Sequence, residues 1–268
     1  MTGKPRRGLL LFLCLLCLWG LSACSQNHSA DYDKAIKLFS KGDYAEAARA
    51  FDKLGDYAAA ATYAAYSHGL VLYEQGQYAA AEPYFEKCRG FMYGEDRYRF
   101  CHAYALEESG DFAQAASAFE AMGEFENAQQ HYQYCRARAA EESKDYSAAL
   151  FAYEAAIPLN DAEDRLYSLR GQIYNRAIAF REAGDYESAI ILFTMLGDYL
   201  SSADQAVECK DLLRESQYNE ADNLEAQGNL QAAYTLFSSL TGYRDAAERA
   251  EGLADRLGID VSEGINEF

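Results

Sequence analysis

Small and aromatic residues recur along the chain at helical spacing and in a fixed register. An alanine and an aromatic stand four apart at Ala47/Phe51, Ala81/Phe85, Ala115/Phe119, Ala149/Tyr153, Ala189/Phe193 and Ala233/Phe237. Residues four apart share one helical face, so each pair predicts a packing helix: the small member admits a neighbouring helix and the ring fills the groove beside it. Five residues before each alanine stands a turn residue, namely Gly42, Gly76, Gly110, Lys144, Gly184 and Gly228. Glycine takes positive φ at little cost, which suits the C-terminal end of a helix. Upstream of each turn a second set recurs, an aromatic and then a small residue three later: Tyr32/Ala35, Tyr66/Gly69, Phe100/Ala103, Tyr134/Ala137, Tyr174/Ala177 and Tyr218/Ala221. The predicted unit is therefore helix, turn, helix.

The first three intervals between turns are 34 residues each. Fixed self-similarity of this length marks a solenoid, in which one unit is stacked many times. On these residues the chain resembles the tetratricopeptide repeat family, whose pattern has small contacts in a first helix and Ala-x3-Phe in a second. The resemblance covers residues 31–257. It implies an all-α fold: a right-handed α-solenoid of about six helix-turn-helix repeats closed by a C-terminal capping helix. Two departures stand out. No tryptophan opens the first helices, and the family's helix-ending proline is missing. In its place are Leu54-Gly55-Asp56-Tyr57, Met122-Gly123-Glu124-Phe125, Leu196-Gly197-Asp198-Tyr199 and Leu240-Thr241-Gly242-Tyr243. These predict glycine C-caps, with Asp56 and Asp198 as N-caps of the helices that follow.

In chain order, residues 1–23 read as a lipoprotein signal peptide, with Lys4, Arg6 and Arg7 ahead of an apolar stretch from Leu9 to Trp19 that is too short to span a bilayer. Leu21-Ser22-Ala23-Cys24 resembles the bacterial lipobox. That resemblance implies cleavage before Cys24, its acylation, and a stable extracytoplasmic anchor on the cell membrane, or on an outer membrane if the host has one. Residues 24–30 form a polar linker, 31–257 the solenoid and 258–268 a loose tail. Two turn intervals are longer, 40 residues from Lys144 to Gly184 and 44 from Gly184 to Gly228. Ser201 to Gln227 lacks Pro and Gly, and predicts one long helix. Arg244 to Leu257 predicts the cap. Pro83 falls inside a predicted second helix, where it should remove a hydrogen bond and bend it. Lys144 replaces the turn glycine of the other repeats and is followed by six excess residues, so the fourth repeat is expected to be the loosest and to exchange its amides fastest around residues 140–165.

Composition adds bounds. Half of the residues are hydrophobic, 22 are tyrosine and only three are proline, which suits helices. Formal net charge is −18, and loss of residues 1–23 removes three cations and no acid, leaving −21. Phosphate would be repelled, so nucleic acid is not expected as a partner. His68 and His102 are 34 apart, on equivalent positions of adjacent first helices, and are expected on helix surfaces rather than around a metal. Cys101 and Cys135, also 34 apart, are expected too distant to bridge. Buried free thiols are expected, with Cys88, ending one helix, and Cys101, in the next, the pair best placed to bridge if an oxidising envelope forms one. No nucleophile triad, phosphate loop or metal spacing occurs, so neither catalysis nor a cofactor is expected.

Function must then come from the surface. The family resemblance implies that first helices line a concave face that binds proteins or peptides. In that register the face carries Tyr66, Tyr73, Phe100, Tyr104, Glu107, Glu108, Tyr134, Glu141, Glu142, Tyr174, Tyr218 and Glu225. Tyrosine offers large contact area plus a hydroxyl, a combination favoured at interfaces. The alternative places the tyrosines inside the repeats and the glutamates on solvated helix ends. Chaperone-docking family members hold a terminal carboxylate with basic groove residues, and the corresponding positions here are aromatic, apolar or acidic. A neutral or basic partner fits better. The expected function is a membrane-anchored scaffold or adaptor. Alternatives are an envelope-assembly lipoprotein, of the outer-membrane barrel or pilus-secretin type, or a non-catalytic subunit of an envelope enzyme.

Overall fold

The computed structural model describes residues 28–259. The signal peptide, Cys24, residues 25–27 and most of the tail lie outside the described residues. Every regular element among the described residues is helical: α1 over residues 28–40, α2 Tyr44–Leu54, α3 Ala60–Glu74, α4 Tyr78–Glu86, α5 Gly94–Ser109, α6 Phe112–Glu120, α7 Ala128–Ser143, α8 Tyr146–Ala156, α9 Ala162–Glu182, α10 Tyr186–Leu196, α11 Ser202–Ala226, α12 Leu230–Ser239 and α13 Ala246–Leu257. None of these helices is long and apolar enough to cross a membrane. The chain forms two compact units, Met1–Ala162 and Glu163–Phe268. From α2 to α8 in the first and from α10 to α13 in the second, each helix packs on its sequence neighbours. Succession of this kind is that of a helical repeat array.

The periodic residues build the cores. Ala47, Ala81, Ala115, Ala149, Ala189 and Ala233 are fully buried, as are Phe51, Phe85, Phe119, Tyr153, Phe193 and Phe237. The small residues of the first helices are buried against them; at Gly69 an added Cβ would stand 2.8 Å from the Phe85 ring, so nothing larger than glycine fits without that ring moving. Cys101, Cys135 and Cys209 share one register, the eighth residue of their helices, where they are fully buried like Ser67 and Leu169. They are core fillers. Cys88, Cys101, Cys135 and Cys209 are all free and buried, so Cys88 and Cys101 do not bridge. Burial pushes the Cys88 thiol up to about 11 and the Cys101 thiol up to about 12, which keeps them unreactive.

The turns explain themselves through their backbone. Each of the six turn residues has positive φ, Lys144 included at 62°. At Gly110, for example, its N–H donates to the Glu107 carbonyl and the Asp111 N–H to the Leu106 carbonyl, the paired bonds of a Schellman motif. In three repeats the residue after the turn then caps the second helix: Asp111, Asp145 and Asp185 accept from the backbone N–H three residues on, whereas Asp43, Gln77 and Asn229 make no such bond. One residue thus closes a helix and opens the next.

Between repeats the structure corrects the sequence reading. Gly55 and Gly197 do end α2 and α10 with positive φ. Asp56 and Asp198, however, do not cap the following helices, which start four residues later, behind the N-caps Ala59 and Ser201. Instead a second left-handed residue recurs at Ala58, Met92, Glu126, Asn160, Leu200 and Arg244, never a glycine. Two residues further on, a small buried residue opens each first helix, its N–H donating to the carbonyl of the residue just before the left-handed one, as Ala60 does to Tyr57 and Ala246 to Tyr243. The long intervals are also regular. α9 has 21 residues and α11 has 25, against 15 in α3, so excesses of six and ten residues are continuous helix and not an irregular seam after repeat four. The long helix expected over Ser201 to Gln227 is α11, and the expected cap is α13. Pro83 lies within α4, which is helical on both sides of it.

Candidate partner-binding cleft

In the first unit a cleft of about 460 Å³ opens where the C-terminal end of α5 and the start of α6 meet α7. Its walls are Glu107, Glu108, Ser109, Gly110 and Phe112 on one side and Tyr134, Arg138 and Glu142 on the other. The turn at Gly110 sets this geometry, because it brings the last carboxylates of α5 alongside the first ring of α6. Glu108 and Glu142 are exposed and have no ion-pair partner among the described residues. Arg138 is the one cation lining the cleft and is held in place: its guanidinium lies 4.0 Å from the Phe112 ring and donates to the Tyr134 hydroxyl at 3.2 Å. Tyr134 in turn donates to Asp161 at 2.7 Å. Burial, then the Asp161 hydrogen bond, pushes the Tyr134 hydroxyl above the usual tyrosine range.

Glu107 forms the cleft floor and is committed to the interior. One carboxylate oxygen lies 2.6 Å from His131 Nδ1 and accepts from the Cys135 thiol at 3.5 Å; the other accepts from Asn160 Nδ2 at 2.9 Å. His131 is itself buried, stacked on Phe119 with ring centres 4.9 Å apart. The tie recurs at a spacing of 24 residues, since Arg181 bonds Gln205 and Glu225 bonds Arg249, joining the end of one first helix to the second turn of the next. At the equivalent place in the second repeat stand Tyr73 and Arg97, the guanidinium 5.5 Å from the ring. His131, Asn160, Phe112 and Arg138 were missed as site residues, yet polar complementarity at a 24-residue spacing was a signal available in the sequence.

Of the twelve residues expected on a binding face, the structure brings Glu107, Glu108, Tyr134 and Glu142 together in this cleft, where only Glu108 and Glu142 are exposed and Glu107 and Tyr134 are buried. Others are placed inside. Tyr66 is buried and accepts from Arg97 at 2.5 Å; Phe100 is fully buried against Phe119 and Phe125. Tyr73 and Tyr104 are half-buried, packed on Tyr78, and burial raises both hydroxyls. Glu141 is half-buried and accepts from the Tyr153 hydroxyl. Tyr174, Tyr218 and Glu225 belong to the second unit: Tyr174 meets Ser201 at 2.9 Å, buried Tyr218 donates to Asp245 at 2.5 Å, and Glu225 takes Arg249 and Arg256 at 2.7 and 2.6 Å. His68 and His102 each pair with a separate acid, Asp52 at 2.9 Å and Glu82 at 2.8 Å. Among the described residues no cluster of three or more metal-ligating side chains occurs. Compared with known proteins, the chain matches no family model and no curated protein.

Proposed function

We propose that the chain is a lipid-anchored, extracytoplasmic adaptor without catalytic activity, built as a right-handed solenoid of tetratricopeptide-like repeats, which docks a neutral or basic polypeptide. The observation that carries the reading is the cleft between α5, α6 and α7, on whose two sides stand Glu108 and Glu142, exposed carboxylates without ion-pair partners among the described residues. Glu108 and Glu142 would attract a lysine or arginine of the partner, while Phe112 and Tyr134, both buried, hold the wall behind them rigid. Anchoring rests on the resemblance of Leu21-Ser22-Ala23-Cys24 to a lipobox. The buried Ala/aromatic pairs and the hairpin turns support the repeat assignment.

Affinity capture from membranes with the wild-type chain, and with a Glu108→Lys/Glu142→Lys variant of unchanged melting behaviour, tests the docking reading. A partner should be held by the first and lost by the second, and its retention should fall steeply with salt. Equal capture by both would remove the cleft from consideration. Cys24→Ala should in addition release the protein from the membrane fraction or leave it unprocessed, and unchanged acyl labelling would end the anchoring claim.

A further inference from the structure

The ten-residue excess of α11 creates a second cavity, in the second unit, that the docking reading leaves unused. Its volume is about 400 Å³, within the range of small-molecule sites. One wall is a single face of α11, Lys210, Leu213, Arg214 and Gln217, at the spacing that aligns side chains on a helix. The other wall is the turn from Ser239 to Tyr243 that joins α12 to α13. α9 has an excess of six, and there the equivalent turn closes on the helix: a Cβ added at Gly171 would stand 3.6 Å from the Tyr199 hydroxyl. α11 is four residues longer than α9, and the cavity lies along the added stretch.

The two walls differ in chemistry. Lys210 is the only lysine after residue 144, and no carboxylate is paired with it among the described residues. The acids next to it are engaged elsewhere, Asp211 with one nitrogen of Arg214 at 3.1 Å and Glu215 with Arg244 at 3.0 Å. The α11 face thus presents the Lys210 ammonium, the remaining Arg214 guanidinium donors and the Gln217 amide, whose NH2 group can also donate. On the turn, the Ser239 and Thr241 hydroxyls already donate to the Leu236 and Ser238 carbonyls at 2.7 and 3.0 Å. What they have left to offer a ligand is lone pairs. Tyr243 adds a half-buried ring.

We propose that this cavity binds a phosphorylated polyol. Its phosphate oxygens accept from Lys210, Arg214 and Gln217, and its hydroxyls donate to Ser239 and Thr241. A bare oxyanion would satisfy one wall and a bare polyol the other, whereas a polyol phosphate satisfies both. Such a group occurs in free metabolites and in the headgroup of phosphatidylglycerol, and the experiment separates them.

Calorimetric titration of the full chain at matched ionic strength uses glycerol 3-phosphate, inorganic phosphate, glycerol and dihexanoyl phosphatidylglycerol below its micellar concentration. Glycerol 3-phosphate should bind more tightly than inorganic phosphate, and glycerol should give no heat. Lys210→Met and Arg214→Gln should each weaken binding by roughly tenfold or more, the loss of one charge-assisted contact, while Lys53→Met in the first unit should leave it unchanged. Binding of the short-chain lipid but not of glycerol 3-phosphate would assign the site to a headgroup. Absence of binding by both, or binding indifferent to Lys210→Met and Arg214→Gln with the fold intact, would overturn the proposal.

Discussion

Between Gly42 and Lys144 the turns recur every 34 residues and α3, α5 and α7 hold 15 or 16 residues, whereas in the second unit α9 and α11 hold 21 and 25. In the first unit one stretch of helix packs both backward and forward. Residues of α5, for example, meet α4 through Cys101 and α6 through Phe100. In α11 the two duties are separated: Ala206 and Cys209 pack with α9 and α10, Tyr218 and Ala221 with α12 and α13, and between them lies a stretch that is exposed or only half-buried. Lengthening a first helix therefore keeps every repeat contact and adds surface. The regular unit makes its cleft from carboxylates at a turn, and the lengthened one makes its cavity from an inserted helical face.

The comparison can be broken most forcefully in the cores. Phe119→Ala should cost about 3–5 kcal/mol, because a fully buried ring stacked on His131 leaves a cavity that its neighbours cannot fill. Phe237→Ala, whose ring is covered on one side by the closing helix α13, should cost less. Denaturant titration of the two variants measures both, and a larger loss at Phe237 would reverse the order of the two units.

A smaller effect is expected at the start of the first helices. Gly94 opens α5 where an added Cβ would stand 2.2 Å from the Cys88 carbonyl oxygen, while its equivalent Ala246 in the second unit already carries one. Gly94→Ala should destabilise by about 1–3 kcal/mol, the range for forcing extra volume into a packed site. A neutral result by thermal melting would show that the two turns are interchangeable. Lys144→Gly works in the other direction. The lysine holds φ 62° and ψ 23°, so glycine should stabilise by less than about 1–2 kcal/mol once its greater chain entropy is counted. With the following excess shown to be helical, the left-handed Lys144 and Asn160 are what remains to account for any fast amide exchange at residues 140–165. Slow exchange there together with loss of stability in Lys144→Gly would remove the strain argument.

The mildest prediction concerns acid. Hydrogen bonds from Arg89 and then Arg99 hold Glu95 in the first unit down to about 2, from an ordinary 4.5, and Arg249 and Arg256 lower Glu225 in the second. A lowered carboxylate adds stability above its unfolded value and loses it as pH falls toward the folded one, so Glu95 should contribute above pH 4.5 and progressively less down to about 2. Glu95→Gln should flatten that part of the acid melting profile, and Glu225→Gln should do so through contacts of the second unit. Profiles unchanged by both would mean that these exposed pairs are as weak as most surface ion pairs.

The fold was largely legible in the sequence because its cause is local. Ala47/Phe51 and its five counterparts announce a buried helical face by spacing alone, and Gly42 and its counterparts announce turns through the one backbone angle that glycine reaches cheaply. Even the strained exception, Lys144, could be read from its neighbours. The turns between repeats could not, because Ala58, Met92, Glu126, Asn160, Leu200 and Arg244 share no side-chain chemistry. Their positive φ is imposed by the two helices that they join. Most of the expected binding face was read at the wrong depth for a related reason. Helical periodicity tells which residues share a face, but whether Tyr66, Phe100 and Tyr218 meet solvent or the next repeat depends on how closely that repeat packs. The sequence by itself therefore determined where helices begin, end and bury their small and aromatic residues, since those follow from contacts within one hairpin. The 24-residue spacing makes His131 a candidate partner, but tertiary structure alone decided that Glu107 takes it together with Asn160, 53 residues away, while Glu108 has no ion pair among the described residues, because that choice is made by packing and not by the local chain.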